Sequence, residues 1–404
     1  VVKPERRTKG DLLAATAIVA VIAVAAALIW WTSDARATIS RPAATPVPAL
    51  TTAKAVPTVL RQLWTADNTA SSQPVLAAGS VVTGHGHEVD GRDPATGVVL
   101  WSYSRDVDVC GITSVYQYAV AVYPDDRGCG QVSTIDGKTG RRGPTRSSLA
   151  DAEVKLSTDG STVLSAGDSR LEQWRSDLAR TISYGYLDAR FKREVPDQPL
   201  CGLVSAAASS ATVAVLESCP NQPDMRLTLL KPAKEEDQPD TKRVTLPGVK
   251  ADADARVVAV NDTTTAVYLP TPQPVVSVYD DTGTVIASTL MAKPASGEAI
   301  ASVAGDYVTF WTGDSVMVFD ANALRYKYTV SPVAGNAPVG PATLMADKLL
   351  VPVTGGYDVF DPQTGKGVSH IALPRTPIST AVFPAVAGAR ILEQRGDTLV
   401  ALGS

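Results

Sequence analysis

One short phrase recurs along this chain: an apolar strand ending in aspartate, a tight turn, and a second apolar run. It reads HEVDGRDPATGVVLW over His87–Trp101, VSTIDGKTG over Val132–Gly140 and VVSVYDDTG over Val275–Gly283. It returns as SVMVFDANALRY over Ser315–Tyr326 and GYDVFDPQTGKGV over Gly356–Val368. Strand and turn chemistry repeating at roughly 40 residues, with no helical period, describes small sheets that cannot bury their faces alone. Stacked radially, such sheets make a closed β-propeller. The expected fold class is all-β, with units starting near Pro74, Ile112, Val154, Leu203, Val257, Ile300, Pro341 and Thr380. That is about eight blades; seven is the alternative, because the units near Ser161 and Ser205 are irregular.

In the first unit Pro74–Val82 reads as an inner strand, His87–Asp93 as a later one and Val98–Ser104 as the outer one. The last unit stops at Ser404 before an outer strand, and Thr58–Ala66 (TVLRQLWTA) has the look of one. Val59–Trp64 is therefore expected to complete the last blade, pairing two strand edges that would otherwise template aggregation. Asp93, Asp136, Asp280, Asp320 and Asp361 hold one place in the repeat; Gly97, Gly140, Gly283 and Gly365 each follow a threonine. Such an aspartate accepts backbone N–H groups two residues on, and such a glycine takes positive φ to close the turn. With Trp101 they form a structural set, since a residue repeated in every blade serves the repeat rather than a reaction.

Leu12–Trp31 is twenty residues without a charge, enough to cross a bilayer as a helix. Lys3, Arg6, Arg7 and Lys9 precede it and Trp30 and Trp31 end it, which places residues 1–11 in the cytoplasm and the rest outside. The reading is a signal-anchor over 12–31; the competing one is a signal peptide cut near Ala35-Arg36-Ala37. Residues 32–57, with Pro42, Pro46, Pro48 and Pro57, read as an extended, mobile linker, and 58–404 as the propeller.

Four cysteines allow three pairings. CGITS at Cys110–Ser114 echoes CGLVS at Cys201–Ser205, and each is followed by a second cysteine within its own unit. Local geometry favours Cys110–Cys129 and Cys201–Cys219, each spanning an inner hairpin, in an extracytoplasmic setting that permits disulfides.

The phrases DPATGVVLW, IDGKTG and FDPQTGKGV resemble the repeat of the quinoprotein-like (PQQ-like repeat) β-propeller family, in which aspartate, Thr-Gly and tryptophan mark the last hairpin of each blade. Trp101 matches that tryptophan, and Trp64 and Trp174 match its setting. The resemblance covers about Val59–Ser404. It implies the fold, and either of two lives: a quinone-dependent dehydrogenase, or a non-catalytic envelope protein such as the outer-membrane assembly lipoprotein of Gram-negative bacteria. Adjacent cysteines and a Glu/Asn/Asp calcium set, which the dehydrogenases carry, have no counterpart here. The anchor, the linker and the Ala/Val-rich propeller together look like an actinobacterial single-pass membrane protein.

Chemistry-bearing motifs are sparse. The sequence lacks GxxxxGK[ST], GxSxG and HExxH, and three histidines leave little room for imidazole catalysis. His85 and His87 are the candidates for a metal, two residues apart on one strand face; His370 reads as a surface residue. Lys138, Arg141, Arg142 and Arg146 read as a basic loop, and Lys231–Arg243 as a solvated mixed-charge loop. A net charge of −4 gives no field for nucleic acid. The expectation is a non-catalytic interaction or scaffold protein of the cell envelope, in the plasma membrane, without a cofactor and with an envelope protein as partner. The alternatives are a propeller that binds a cell-wall component and, behind it, a quinone-dependent oxidoreductase.

Overall fold

The computed structural model describes residues 8–186, 201–333, 335–375 and 380–404. Runs of Val, Tyr, Thr and Ala with period two favour a pleated, half-buried surface, and they form eight four-stranded antiparallel sheets in succession. Blade 1 comprises Val75–Ala77, Ser80–His85, Glu88–Arg92 and Val99–Ser104. Blade 2 comprises Gly111–Val115, Tyr118–Asp125, Gly128–Asp136 and Arg142–Ser147. Blades 3 to 8 begin at Lys155, Gly202, Arg256, Ile300, Thr343 and Val382, each within two residues of the start read from the sequence. The protein is an eight-bladed propeller; the seven-bladed alternative is excluded. Pro74–Val82 is a hairpin rather than one strand, because Ala78 takes φ 51° and reverses the chain.

The ring closes through its two ends. Arg61–Asp67 pairs antiparallel with Thr398–Gly403, from Arg61 opposite Gly403 to Asp67 opposite Thr398, and supplies the outer strand of blade 8. Apolar faces of neighbouring blades make the core: Val82, Val89 and Trp101 of blade 1 pack with Ile112, Ala119 and Ile135 of blade 2. Burying each such larger side chain contributes about 1.5–3 kcal/mol.

The recurring turn explains how the blades interlock. Asp93 Oδ1 accepts the amides of Ala95 and Thr96 and the Thr96 hydroxyl. Asp136 does the same for Lys138 and Thr139, and Asp361 for Gln363 and Thr364. Asp280 caps Thr282 and Thr284, and Asp320 caps Asn322 and Ala323. Gly97, Gly140, Gly283 and Gly365 all have φ between 68° and 81°. Each lies against an outer-strand side chain of the preceding blade: Trp64, Trp101, Val244 and Tyr328 respectively. Trp64, Trp101 and Tyr328 also donate to the carbonyl following the capping aspartate, at Pro94, Gly137 and Pro362. Trp174 departs from this pattern. It lies on the third strand of blade 3, Arg170–Arg175, and its indole donates to Glu172.

At the N-terminus Lys9–Trp31 is a helix capped reciprocally by Thr8 and Asp11, apolar on every side and unburied by the rest of the chain. Its 23 residues span about 35 Å at 1.5 Å per residue, long enough to cross a membrane. Lys3, Arg6 and Arg7 of the basic flank lie outside the described residues.

Residues 39–56 are extended as expected from their prolines, but they are fastened to the propeller instead of hanging free. Ile39–Arg41 adds a fifth strand to the outer edge of blade 1, with Ile39 opposite Ser104 and Arg41 opposite Ser102. Ala43 and Val47 donate their amides to the carbonyls of Thr139 and Lys138 in blade 2. Val47 is buried, Pro48 sits over Gly79 of blade 1, and Thr51 over Gly388 of blade 8.

Candidate functional site

Antiparallel blades put two kinds of connection on opposite faces of the ring. One face carries the tight turns between first and second strands, such as 78–79, 116–117, 305–306 and 346–347, and residues 43–51 cross part of it. The other carries the links between blades, among them 105–110, 148–154, 246–255, 291–299 and 331–342. Loops displayed on a rigid scaffold are where binding residues concentrate.

Both disulfides clamp that loop face. Cys201 and Cys219 are bonded at the open end of the inner hairpin of blade 4, where Gly202 pairs with Ser218. Cys110 and Cys129 are bonded too, but Cys129 lies on the third strand of blade 2. That bridge passes over the second strand, so it joins the first strand's entry to the third strand rather than spanning one hairpin.

The histidines do not converge. His85 Nε2 is 4.0 Å from Asp67, His87 Nδ1 is 3.1 Å from Asp108, and Gly86 between them takes φ 52°. Both side chains are well exposed. Among the described residues no group of three or more His, Cys, Asp or Glu is placed to hold a metal ion. His370 is half-exposed and pairs with Asp358 at 2.7 Å.

Along the ring axis runs a cavity of about 710 Å³, lined by inner-strand and turn residues including Thr113, Ser114, Asp159, Ser209, Asn261 and Asp262. Small polar and aliphatic side chains from the first strands and turns of blades 1 to 6 make most of this wall.

The buried carboxylates are committed to ion pairs. Glu172 accepts from Arg170 and, at 2.8 Å, from Arg180, with Arg146 at 3.6 Å. Glu217 accepts from Arg226 at 2.6 Å, from Thr228, and from the Tyr184 hydroxyl at 2.7 Å. Glu393 is held by Arg375 at 2.6 Å and by Arg395. Burial opposes the ionisation of Glu172 and Glu393, yet the arginines outweigh it and hold both carboxyls below their ordinary range. These clusters were not picked out from sequence, although Arg170/Glu172 and Glu393/Arg395 are opposite charges two apart on a strand face, a readable sign. Asp90 is different: burial outweighs Arg92, 2.6 Å away, and its carboxyl is pushed up to about 6.

Two charged segments read as loops turn out to be docked. Arg142 and Arg146 lie in the outer strand of blade 2, while Lys138 sits in the turn that receives Val47. Asp240–Thr245 is the outer strand of blade 4. In the preceding connection Glu236 pairs with Arg180 at 2.7 Å, and Lys231, the last residue of the third strand, pairs with Asp281 at 2.8 Å. Strand edges at blade rims take charge readily, which is why these sequences resembled loops.

Beside Thr38, where the chain leaves the N-terminal helix and joins the propeller, the outer strands of blades 1 and 2 part to form a groove of about 280 Å³. Arg105, Arg142 and Arg146 line it, with Tyr103 and Ser133 between them. Arg142 lies over the Tyr103 ring at 5.6 Å, and the Tyr103 hydroxyl is 3.3 Å from Ser133 Oγ.

No protein-family model matches the sequence, and no curated protein is similar to it. Solved structures share its shape. BamB from Moraxella catarrhalis matches 86% of this chain and 100% of its own, with TM-score 0.52 and 16% identity. The C-terminal WD40 domain of Sif2 matches 87% and 99%, with TM-score 0.53 and 10% identity. Saccharomyces cerevisiae Sqt1 matches 83% and 99%, with TM-score 0.50 and 11% identity. At these identities the likeness is one of architecture, and it places the chain among β-propellers of the BamB and WD40 shape.

Proposed function

We propose that this protein is a non-catalytic interaction propeller of the cell envelope, held at the plasma membrane by its N-terminal helix and displayed outside the cytoplasm. The observation that carries the reading is the asymmetry of the ring. The links between blades and both disulfides gather on one face, while the tight first-to-second-strand turns, the 232–239 connection of blade 4 and the docked residues 43–51 occupy the other. A clamped loop surface loses little freedom when it meets a partner, which is what a protein-recognition face needs. An apolar helix of membrane-crossing length supports the anchor. Paired cysteines support the oxidising side.

In this reading residues 1–11 are cytoplasmic, 12–31 span the bilayer, and the blades are PQQ-like repeats of an actinobacterial single-pass protein. The partner is an envelope protein engaged by the loop face, with the tether raising its effective concentration at the membrane. The test is mass spectrometry of what co-purifies with the tagged full-length protein, gently extracted from its native membrane. A stoichiometric envelope protein is the expected result. Recovery of the protein alone after crosslinking overturns the scaffold role. The axial cavity favours a second reading, the binding of a cell-wall fragment, and thermal stabilisation by such a fragment would decide for it.

A further inference from the structure

We propose that the groove between blades 1 and 2 binds the phosphate headgroup of an anionic membrane lipid, fixing the propeller edge-on at the bilayer. This rests on the membrane-anchored reading above. Three observations meet at this place.

The first is reach. Seven residues, 32–38, join the end of the helix at Trp31 to the first docked residue, Ile39, and four of them form the short helix Asp34–Ala37. Even fully extended, seven residues span no more than about 25 Å. The docking of 39–51 removes the long stalk that the prolines suggested, so the groove beside Thr38 stays within that distance of the headgroups.

The second is charge. Among the described residues Arg105, Arg142 and Arg146 line the groove and no acidic side chain does, in a protein whose net charge is −4. Arg146 is committed elsewhere, donating to Ser148 at 2.8 Å and to the Leu178 carbonyl at 3.0 Å with Glu172 3.6 Å away, so the groove's charge rests on Arg105 and Arg142. Arg142 is exposed at the mouth. Near an anionic bilayer each basic side chain strengthens attachment about fivefold, and the effect fades within a Debye length.

The third is shape. A volume of about 280 Å³ is sized for a headgroup rather than for acyl chains, and Ser133 and the Tyr103 hydroxyl add neutral hydrogen-bonding groups beside the guanidinium groups. Arg36 stacks on Trp31 at 3.9 Å, an aromatic and cationic pair of the kind that settles at a membrane interface.

The experiment uses the full chain in nanodiscs of phosphatidylcholine alone and of phosphatidylcholine with phosphatidylglycerol, and reads amide hydrogen exchange. Exchange across Ser102–Arg105 and Arg142–Ser147 should slow about fivefold in the anionic discs, and the protection should vanish in high salt or in Arg105→Gln/Arg142→Gln. Equal exchange in the two discs overturns the proposal. Inorganic phosphate added to the neutral discs tests the source: equivalent protection there assigns the groove to a soluble anion and overturns the lipid. Arg142→Gln alone, at an exposed position, keeps the test open if the double variant does not fold. Co-migration of the protein with neutral discs tests the anchor separately, so loss of the anchor is told apart from loss of lipid recognition.

Discussion

The indole Nε1 of Trp101 donates to the carbonyl oxygen of Gly137 at 3.0 Å, joining the outer strand of blade 1 to the turn of blade 2. Ser80 Oγ donates to the same carbonyl at 2.8 Å, and the indole also reaches that hydroxyl at 3.2 Å. A Cβ on Gly140 would lie 2.4 Å from the Cβ of Trp101, and one on Gly91 would strike its ring. The repeat is thus read between blades: at four junctions the capped turn of one blade closes on an outer-strand side chain of the blade before it.

Trp101→Phe should therefore cost about 1–3 kcal/mol, the range for removing a buried hydrogen-bond partner. Trp64→Phe, at a half-buried indole that donates to Pro94, should cost less. Gly140→Ala combines positive φ with the Trp101 clash, whereas Gly160→Ala meets nothing within 4 Å at φ 90°. Urea melts should show Gly160→Ala losing about 1–2 kcal/mol, the cost of the backbone alone, and Gly140→Ala losing more. Equal losses would remove the interlocking role of the turn.

Turns also show where the fold was legible. The five Asp phrases fixed the blade period, and the outer-strand look of TVLRQLWTA located the closing strand. Both depend on local chemistry, which a sequence displays. The docking of residues 39–51 was hidden, because prolines that make a free chain stiff also suit a chain lying on a surface. The groove at Thr38 was hidden for a similar reason: Arg105 and Arg142 are far apart in sequence and come together only when neighbouring blades pack. Of the candidate site, the sequence displayed the basic residues and the cysteines but not which face they share.

Ala346 and Asp347 form a two-residue hairpin turn with φ 48° and 57°, a conformation that favours Asn-Gly. Ala346→Asn with Asp347→Gly should stabilise the protein by about 1 kcal/mol, seen as a rise in the urea midpoint. Leu324 takes φ 51° where blades 1, 2, 5 and 7 have glycine, but its side chain is buried in the core between blades 5 and 6. Leu324→Gly should relieve about 1–2 kcal/mol of backbone cost and lose about 2–5 kcal/mol of packing, for a net loss.

Each disulfide closes a short loop, with sequence separations of 19 and 18. Replacing either pair by serine should cost about 3 kcal/mol on the chain-entropy account. Alkylation of unreduced, denatured protein should add no mass; uptake of label would refute the two bridges.

Stability should peak near pH 4.5, where two opposing trends cross. The folded-state carboxyl of Asp90 is raised to about 6 by burial, so its contribution is complete below its unfolded value of 3.8 and is lost as pH rises through 6. At about 1.4 kcal/mol per unit, that contribution is on the order of 3 kcal/mol. Glu172 and Glu393 act in the opposite sense. Their carboxyls are lowered from 4.5, so their contribution is complete above that value and is lost as pH falls through the lower folded ones. Thermal melts from pH 8 to pH 3 should rise toward about pH 4.5 and then fall. Asp90→Asn should flatten the alkaline limb and leave the acid limb in place; an unchanged alkaline limb would show that Arg92, 2.6 Å away, offsets the burial and keeps Asp90 ionised already at pH 5.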